Sequence, residues 1–369
     1  MLLARRSNRF CGASVRFFGR CMRKIALLFS YVVTAMTCLS SALPPRRLSV
    51  APMLDWTDRH YRYFFRLISR HTWLYSEMVT TGALLHGDVK RHLRFDPSEQ
   101  PIALQLGGSE PADLAQCAKL AQAWGYNEVN LNVGCPSERV QRGAFGACLM
   151  KESALVADGV RAMRDQCDLP VTVKHRIGVD QEESYDFLAE FVGTVAEAGC
   201  STFIVHARNA ILKGLSPKEN REIPPLKYDY VYRLKQDNPQ LEILINGGIK
   251  TWAEVDTHLQ HVDGVMIGRE AYHNPWLFFG ADARYYPEFF PAASAPSREG
   301  VLAQLVPYVE AHLAEGGKVR DIARHVLGLT AGMPGGRRFR HVLSDATQLR
   351  DADSGIFMRA WAAMRDGLA

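Results

Sequence analysis

The chain of 369 residues lacks the cysteine patterns that mark disulfide scaffolds and metal sites. Its eight cysteines form no CxxC pair and no regular framework, which disfavours both kinds of site and favours a reducing compartment. No GxGxxG segment follows the first apolar run, which disfavours a dinucleotide-binding open sheet. With 47% hydrophobic and 22% charged residues, the composition is that of a globular protein with enough apolar surface for a core.

Acidic residues are absent from the first 54 positions, which carry nine of the 44 Lys and Arg residues. The remainder has 35 basic against 39 acidic residues, a net charge of −4. A body of this charge exerts no general attraction on nucleic acid, so any RNA contact must use local basic patches.

Residues 1–46 are expected to be an extension outside the fold. An apolar stretch from Ile25 to Leu43 follows basic residues, as in a signal peptide or an Arg-rich transit peptide. It is short and dotted with Ser and Thr for a membrane span. The alternative is a true start at Met36 with a misassigned upstream segment. We therefore expect no membrane anchor and a cytoplasmic protein, or an organellar one if the extension is a transit peptide.

From residue 48 onward, short apolar runs alternate with helix-length stretches. Several runs are almost continuously apolar, as in parallel strands that are covered on both faces. Eight strand–helix units over about 220 residues predict a (β/α)8 TIM barrel of the α/β class rather than an open doubly wound sheet. The expected strands are Leu48–Met53, Trp73–Met78, Ile102–Gly108, Glu128–Gly134, Val171–Gly178, Thr202–Arg208, Glu242–Gly248 and Gly264–Arg269.

The alternation stops after Arg269. Residues Pro287–Ser297 contain three prolines and predict a linker. Three later stretches have helical spacing: Val301–Leu313, Ile322–Leu329 and Ile356–Met364. We expect a catalytic barrel over 47–290 and a small C-terminal helical domain over 298–369.

Polar residues and glycines cluster where the predicted strands end, which is the functional face of such barrels. A lone Gln or Cys there is ordinarily a core residue, so the joint placement is what indicates a site. Asn246-Gly247-Gly248 after strand 7 and Gly268-Arg269 after strand 8 predict a phosphate site, because glycine N–H groups can approach a phosphate closely and Arg269 adds charge. This leaves open a flavin mononucleotide or a phosphorylated substrate.

An ordered set of motifs resembles the tRNA-dihydrouridine synthases over about residues 47–365. Asp55-Trp56-Thr57, His206-Ala207-Arg208-Asn209 and the stretch Lys213–Arg221 are most similar to the A subfamily. Each motif alone is weak, but the ordered set is specific. The other motifs are Ala51–Asp58, Gln105–Gly108, Asn130–Ser137, Val173–Gly178 and Asn246–Ile249.

The resemblance implies FMN-dependent, NADPH-driven reduction of uridine to 5,6-dihydrouridine at positions 20 and 20a of the tRNA D-loop. Reducing that C5–C6 bond needs a hydride at C6 and a proton at C5. An ordinary cysteine thiol, with a pKa of about 8.5, is mostly protonated at neutral pH and can supply the proton, so we expect Cys135 to be the acid. The implied FMN contacts are Pro52, Met53, Gln105, Lys174, His206, Asn246, Gly247, Gly248, Gly268 and Arg269.

A tRNA substrate requires further contacts. Asn132 is expected to hydrogen-bond the uracil edge, and the helical domain to hold the tRNA. Arg337 and Arg340, within a cluster of cations around Phe339, form one expected phosphate grip, and Lys218 with Arg221 forms a second. Each cluster alone has the ordinary reading of a solvated surface, but on an acidic body the two together favour RNA. No stable protein partner is implied.

Two other functions remain open. One is an FMN barrel oxidoreductase that acts on a free small molecule, similar to dihydroorotate dehydrogenase or the ene-reductases. It does not account for the C-terminal helices with their Arg cluster. The other is a tRNA-binding protein that has lost catalysis, against which the presence of Cys135, Lys174 and His206 argues.

Overall fold

The computed structural model describes residues 43–289 and 296–365. Expectations for residues 1–42 and for most of the predicted linker therefore lie outside the described residues. From Pro44 onward the chain forms one compact unit. Within the described ranges, no helix is long and apolar enough to cross a membrane.

Eight parallel strands follow one another in the order β1-β8-β7-β6-β5-β4-β3-β2. The two end strands meet through a bridge between Ser49 and Trp73, where the Val50 N–H donates to the Trp73 carbonyl at 2.9 Å. The sheet therefore curls into a nearly closed barrel, and the predicted TIM-barrel fold is confirmed. The strands are β1 (Leu48–Val50), β2 (Leu74–Thr80), β3 (Ile102–Gly107), β4 (Glu128–Val133), β5 (Val171–Arg176), β6 (Thr202–His206), β7 (Glu242–Asn246) and β8 (Gly264–Ile267).

Helices connect the strands and continue beyond the last one. Several begin at side-chain caps that satisfy free N–H groups; Asp58, for example, accepts from the N–H of His60 and of Tyr61 at 3.0 Å each. The helices are α1 (Arg59–Arg66), α2 (Thr81–His86), α3 (Val89–Leu93), α4 (Pro111–Ala123), α5 (Glu138–Arg142), α6 (Ser153–Arg164), α7 (Tyr185–Glu197), α8 (Tyr228–Asp237), α9 (Trp252–Leu259), α10 (Arg269–His273), α11 (Ala281–Tyr285), α12 (Arg298–Ala314), α13 (Val319–Val326), α14 (Gly336–Val342), α15 (Ala346–Leu349) and α16 (Ile356–Arg365).

The core has two parts, because alternate strand residues point to opposite faces of the sheet. The larger apolar cluster lies between the strands and the helices. A smaller cluster fills the interior of the barrel, and its members are Ala51, Trp73, Tyr75, Ala103, Ile204, Leu244 and Met266. The inner face also carries the polar side chains described below, so the barrel interior holds both packing and chemistry.

Arg46 closes the N-terminal end of the barrel, although residues 1–46 were expected to be an extension outside the fold. Its guanidinium contacts Glu128 at 2.7 Å and Glu242 at 2.9 Å and lies 4.4 Å from the ring centroid of Trp73. The Trp73 indole donates to the Pro44 carbonyl at 2.7 Å. The folded body thus includes residues 44–46, because the buried carboxylate of Glu128 takes Arg46 as its ion partner.

The C-terminal helices pack directly on the barrel. Helix α13 lies against α1, and the Asp58 carboxylate at the start of α1 accepts from Arg324 at 2.5 Å and from His325 at 3.0 Å. The predicted helix Ile322–Leu329 begins three residues earlier and ends in a 3₁₀ turn over Leu327–Thr330. These contacts fix the position of the C-terminal helices against the first strand–helix unit.

Candidate active site

A cavity of about 1080 Å³ opens at the carboxyl ends of the strands. Among the residues expected to bind the tRNA, Asn132 and Arg221 line it, whereas Lys218, Arg337 and Arg340 do not. Cys135 lines it as well. The ten residues expected to contact the cofactor all line the same cavity: Pro52, Met53, Gln105, Lys174, His206, Asn246, Gly247, Gly248, Gly268 and Arg269.

The loop that follows β4 (residues 134–137, the Cys135 loop) is held from several directions. The Asn132 side-chain oxygen accepts the N–H of Gly134 at 3.1 Å and of Cys135 at 3.0 Å. The Ala147 N–H donates to the Cys135 carbonyl at 2.9 Å. The thiol, 3.5 Å from the Ser137 hydroxyl, is half-buried. Of the five cysteines that the structure describes, Cys135 alone lines the cavity.

Lys174, His206 and Asn246 lie side by side on the inner faces of β5, β6 and β7. The Lys174 ammonium donates to Asn246 at 3.3 Å, and Asn246 donates to the Met266 carbonyl at 2.7 Å. Burial, with the charge of nearby Arg176, lowers the pKa of Lys174 to about 7. Burial and the same cations hold the pKa of His206 well below its ordinary value. His206 Nδ1 is buried with no hydrogen-bond partner among the described residues, so its hydrogen-bonding capacity is unused in this structure.

The turn after β7 is a close-packed glycine cradle. Gly247 and Gly248 have φ values of 122° and 76°, which side chains of L-residues rarely adopt. A Cβ on Gly247 would lie 3.0 Å from Leu226, and a Cβ on Gly248 would lie 2.8 Å from it. The Tyr228 hydroxyl donates to the Gly247 carbonyl at 2.6 Å, which fixes the turn.

The sequence profile described as dihydrouridine synthase matches residues 49–364. The chain belongs to the dihydrouridine synthase family. Three curated relatives are each named tRNA-dihydrouridine(20/20a) synthase. Those of Pseudomonas putida and Pseudomonas aeruginosa are 62% and 60% identical, over 82% and 81% of this chain and 89% of each relative. That of Escherichia coli is 54% identical over 89% of this chain and 96% of its own length.

Two solved structures are far more distant from this synthase. A 2-naphthoyl-CoA reductase complex has a TM-score of 0.49 at 10% identity and covers 64% of this chain and 50% of its own. Morphinone reductase has a TM-score of 0.47 at 12% identity, and the match covers 70% of this chain and 92% of morphinone reductase. Neither bears on the substrate. Family membership makes this chain a flavin-dependent oxidoreductase that modifies tRNA, and the small-molecule alternative is not favoured.

Arg176, part of the motif Val173–Gly178, lines the cavity although the sequence assigned it no role. Arg176 follows Lys174 on the inner face of β5, whereas His175 between them points outward against Phe191. Its guanidinium donates to the carbonyl groups of Gly134 at 3.2 Å and Asn220 at 2.8 Å. Burial lowers the pKa of Arg176 to about 10. The spacing of two from Lys174 was the available signal, because it places both cations on one face of the strand.

The loop after β6 carries the cations of the synthase mouth. The Asn220 amide organises it, since Nδ2 donates to the Ile211 carbonyl and Oδ1 accepts the Ile211 N–H, both at 2.8 Å. Arg221 then lines the cavity while Lys218 is exposed outside it. Arg269 contacts Glu222 at 2.5 Å, and Glu222 was not predicted.

Arg337 and Arg340 are exposed on α14, outside the cavity. Within residues 43–289 and 296–365 neither forms a salt bridge. Phe339 between them is fully buried. The cations therefore face solvent without an aromatic partner, because this short helix uses Phe339 as its core contact.

Proposed function

We propose that this synthase reduces uridine to 5,6-dihydrouridine at positions 20 and 20a of tRNA, with FMN as its flavin and NADPH as the reductant. The names of the relatives, at 54–62% identity, support the positions. The observation that carries the proposal is one cavity that contains Cys135 together with every residue expected to contact FMN. A tRNA substrate also favours the cytoplasm as the location of the enzyme.

The cavity fits FMN in size and in chemistry. Its volume of about 1080 Å³ lies just above the usual range for ligand pockets, about 300–1,000 Å³, and leaves room for a cofactor of this size. The ring of His206 lines the cavity, and its Nδ1 has no hydrogen-bond partner among the described residues. The backbone of Gly247 and Gly248, with Gly268 and Arg269 across the next loop, supplies N–H groups and a cation for the phosphate.

Bound FMN, once reduced by NADPH, would supply the hydride that adds to C6 of the uracil. The thiol of Cys135 would donate the proton to C5, since it is the cysteine on the cavity wall and its backbone is fixed by Asn132. Lys174, whose pKa burial lowers to about 7, would keep its proton beside an anion and offset negative charge there.

Asn132 would present a donor, not an acceptor, to the uracil. Its Oδ1 already accepts from Gly134 and Cys135, and one N–H of Nδ2 donates to Gln105 at 2.9 Å. The second N–H of Nδ2 is the group left for a uracil carbonyl. The polarity of this contact therefore follows from the fold of the Cys135 loop.

The C-terminal helices between Arg298 and Arg365 would hold the tRNA through Arg337 and Arg340, with Lys218 and Arg221 at the mouth. The target base must turn out of its stack to reach a cavity inside the barrel. Exposed cations that form no salt bridge within the described part of the chain suit phosphate contacts, which position the RNA without reading its sequence.

Mapping of dihydrouridine in tRNA from a strain that lacks the gene tests the proposal. We expect positions 20 and 20a to be unreduced in the deletion strain and restored by the wild-type gene, and the purified protein to contain stoichiometric FMN. Unchanged reduction at both positions in the deletion strain would refute the substrate assignment.

A further inference from the structure

A continuous row of hydrogen bonds crosses the barrel interior from its N-terminal end to the Cys135 loop. We call its members, Arg46, Glu128, Thr172, Asn130, Gln105 and Asn132, the interior network. The successive distances are 2.7 Å from Arg46 to Glu128, 2.6 Å from Thr172 to Glu128, 2.8 Å from Asn130 to Thr172, 2.7 Å from Gln105 to Asn130 and 2.9 Å from Asn132 to Gln105.

The ion pair between Glu128 and Arg46, at one end of the interior network, determines which group donates in each hydrogen bond that follows. The Glu128 carboxylate pairs with the Arg46 guanidinium and presents acceptors only, so the Thr172 hydroxyl must donate to it. That hydroxyl has one hydrogen and therefore accepts from Asn130 Nδ2. Asn130 Oδ1 in turn faces Gln105 Nε2. A reversed amide at Asn130 would place two acceptors 2.8 Å apart with no hydrogen between them.

The other end of the network imposes the same direction independently. The N–H groups of Gly134 and Cys135 can only donate, so they require the oxygen of Asn132. Asn132 Nδ2 must then face Gln105, which presents its oxygen. Glu128, Asn130 and Thr172 are fully buried and do not line the cavity, so these three side chains depend on one another for their hydrogen bonds. A reversal at Asn130 therefore leaves a buried polar group unpaired.

We propose that Thr172 and Asn130, anchored on the Glu128–Arg46 pair, are positioning residues for Cys135. They hold Gln105 and Asn132 in the single amide orientation that lets Asn132 accept both N–H groups of the Cys135 loop. Neither Thr172 nor Asn130 lines the cavity, so any effect on the thiol passes through Gln105 and Asn132. The catalytic consequence rests on the proposed function, whereas the positioning itself does not.

The test compares Thr172→Val, which removes the hydroxyl at nearly constant volume, with Thr172→Ser, which keeps it. Thr202→Val is the matched control: Thr202 is 4% exposed and donates to Glu242 at 2.8 Å, in the same charged cluster but off the amide row. Each full-length holoenzyme is assayed for flavin reduction by NADPH, for single-turnover reduction of tRNA, and for the rate at which iodoacetamide alkylates Cys135, read by peptide mass spectrometry.

Thr172→Val leaves Asn130 without its acceptor and Glu128 without one donor. We therefore expect tRNA reduction slower by about tenfold, the order of magnitude for an unmet buried group, with flavin reduction by NADPH unchanged. We also expect several-fold faster alkylation of Cys135, because Asn132, which accepts both N–H groups of the loop, is held less firmly once the row that supports it is broken. Thr172→Ser and Thr202→Val should match wild type in all three assays. Equal effects of Thr172→Val and Thr202→Val, or wild-type alkylation in Thr172→Val, would overturn the positioning role. A wild-type protein that does not reduce tRNA would overturn the proposed function alone, since the alkylation result stands apart from it.

Discussion

Replacement of Gly248 by alanine tests the glycine cradle. Gly248 has a φ of 76°, and the left-handed conformation costs an L-residue roughly 1–2 kcal/mol. The new Cβ would also lie 2.8 Å from Leu226 Cδ1 and 3.0 Å from the Tyr228 hydroxyl, so Leu226, which lines the cavity, must move. Each kcal/mol of lost stability lowers the Tm by about 2–4 °C, so a strain of roughly 1–2 kcal/mol should lower it by about 2–8 °C. We expect the affinity for FMN to fall at least tenfold, about 1.4 kcal/mol.

The matched control is Gly280→Ala. Gly280 has a φ of 80°, its Cβ would meet nothing within 4 Å, and it does not line the cavity. It therefore carries the same backbone strain without the crowding. Titration of flavin-free protein with FMN, followed by the quenching of flavin fluorescence, gives both affinities, and thermal unfolding gives both Tm values. An unchanged FMN affinity in Gly248→Ala, or an equal loss in the two variants, would refute the cradle as the cofactor site.

Three further predictions concern the cations. Arg337→Ala with Arg340→Ala should weaken tRNA binding and flatten its dependence on salt without changing NADPH oxidation; an unchanged salt slope would count against the grip. FMN binding at pH 8 should take up protons, because burial lowers the pKa of Lys174 to about 7 and an anion beside it favours the charged form. Calorimetry in buffers of different ionisation enthalpy measures the uptake, which Lys174→Met should abolish. Arg176→Met should cost roughly 2–4 kcal/mol in unfolding free energy, since three hydrogen bonds to buried carbonyl groups are lost; denaturant unfolding with a wild-type midpoint would contradict this.

The barrel was predictable because its eight buried strands appear in the sequence as short apolar runs at regular intervals. Strands β3 and β4 begin where the apolar runs predict and end one residue earlier. Strand β1 is shorter by three residues, because Met53 turns out of the sheet to bond Thr57 at 2.9 Å. The polar residues at the strand ends were visible for the same reason: parallel strands bring their carboxyl ends to one face.

The interior network was not predictable from the sequence. Glu128, Asn130 and Thr172 each look like an ordinary polar residue in a strand, and their partnership depends on register. Asn130 pairs with both Gln105 and Thr172 across the sheet, which no local pattern contains. The role of Arg46 in the barrel could not be predicted for a different reason. Its partners Glu128 and Glu242 are 82 and 196 residues away in the sequence.

The central claim is that the Cys135 thiol donates the proton, and stopped-flow measurement of Cys135→Ala tests it most directly. Flavin reduction by NADPH should proceed as in wild type, because the thiol takes no part in it. Flavin reoxidation by tRNA should slow by about 10²–10⁴-fold, the usual contribution of a general acid, with a matching loss of dihydrouridine by mass spectrometry. Reoxidation by tRNA at the wild-type rate in Cys135→Ala would contradict the assignment.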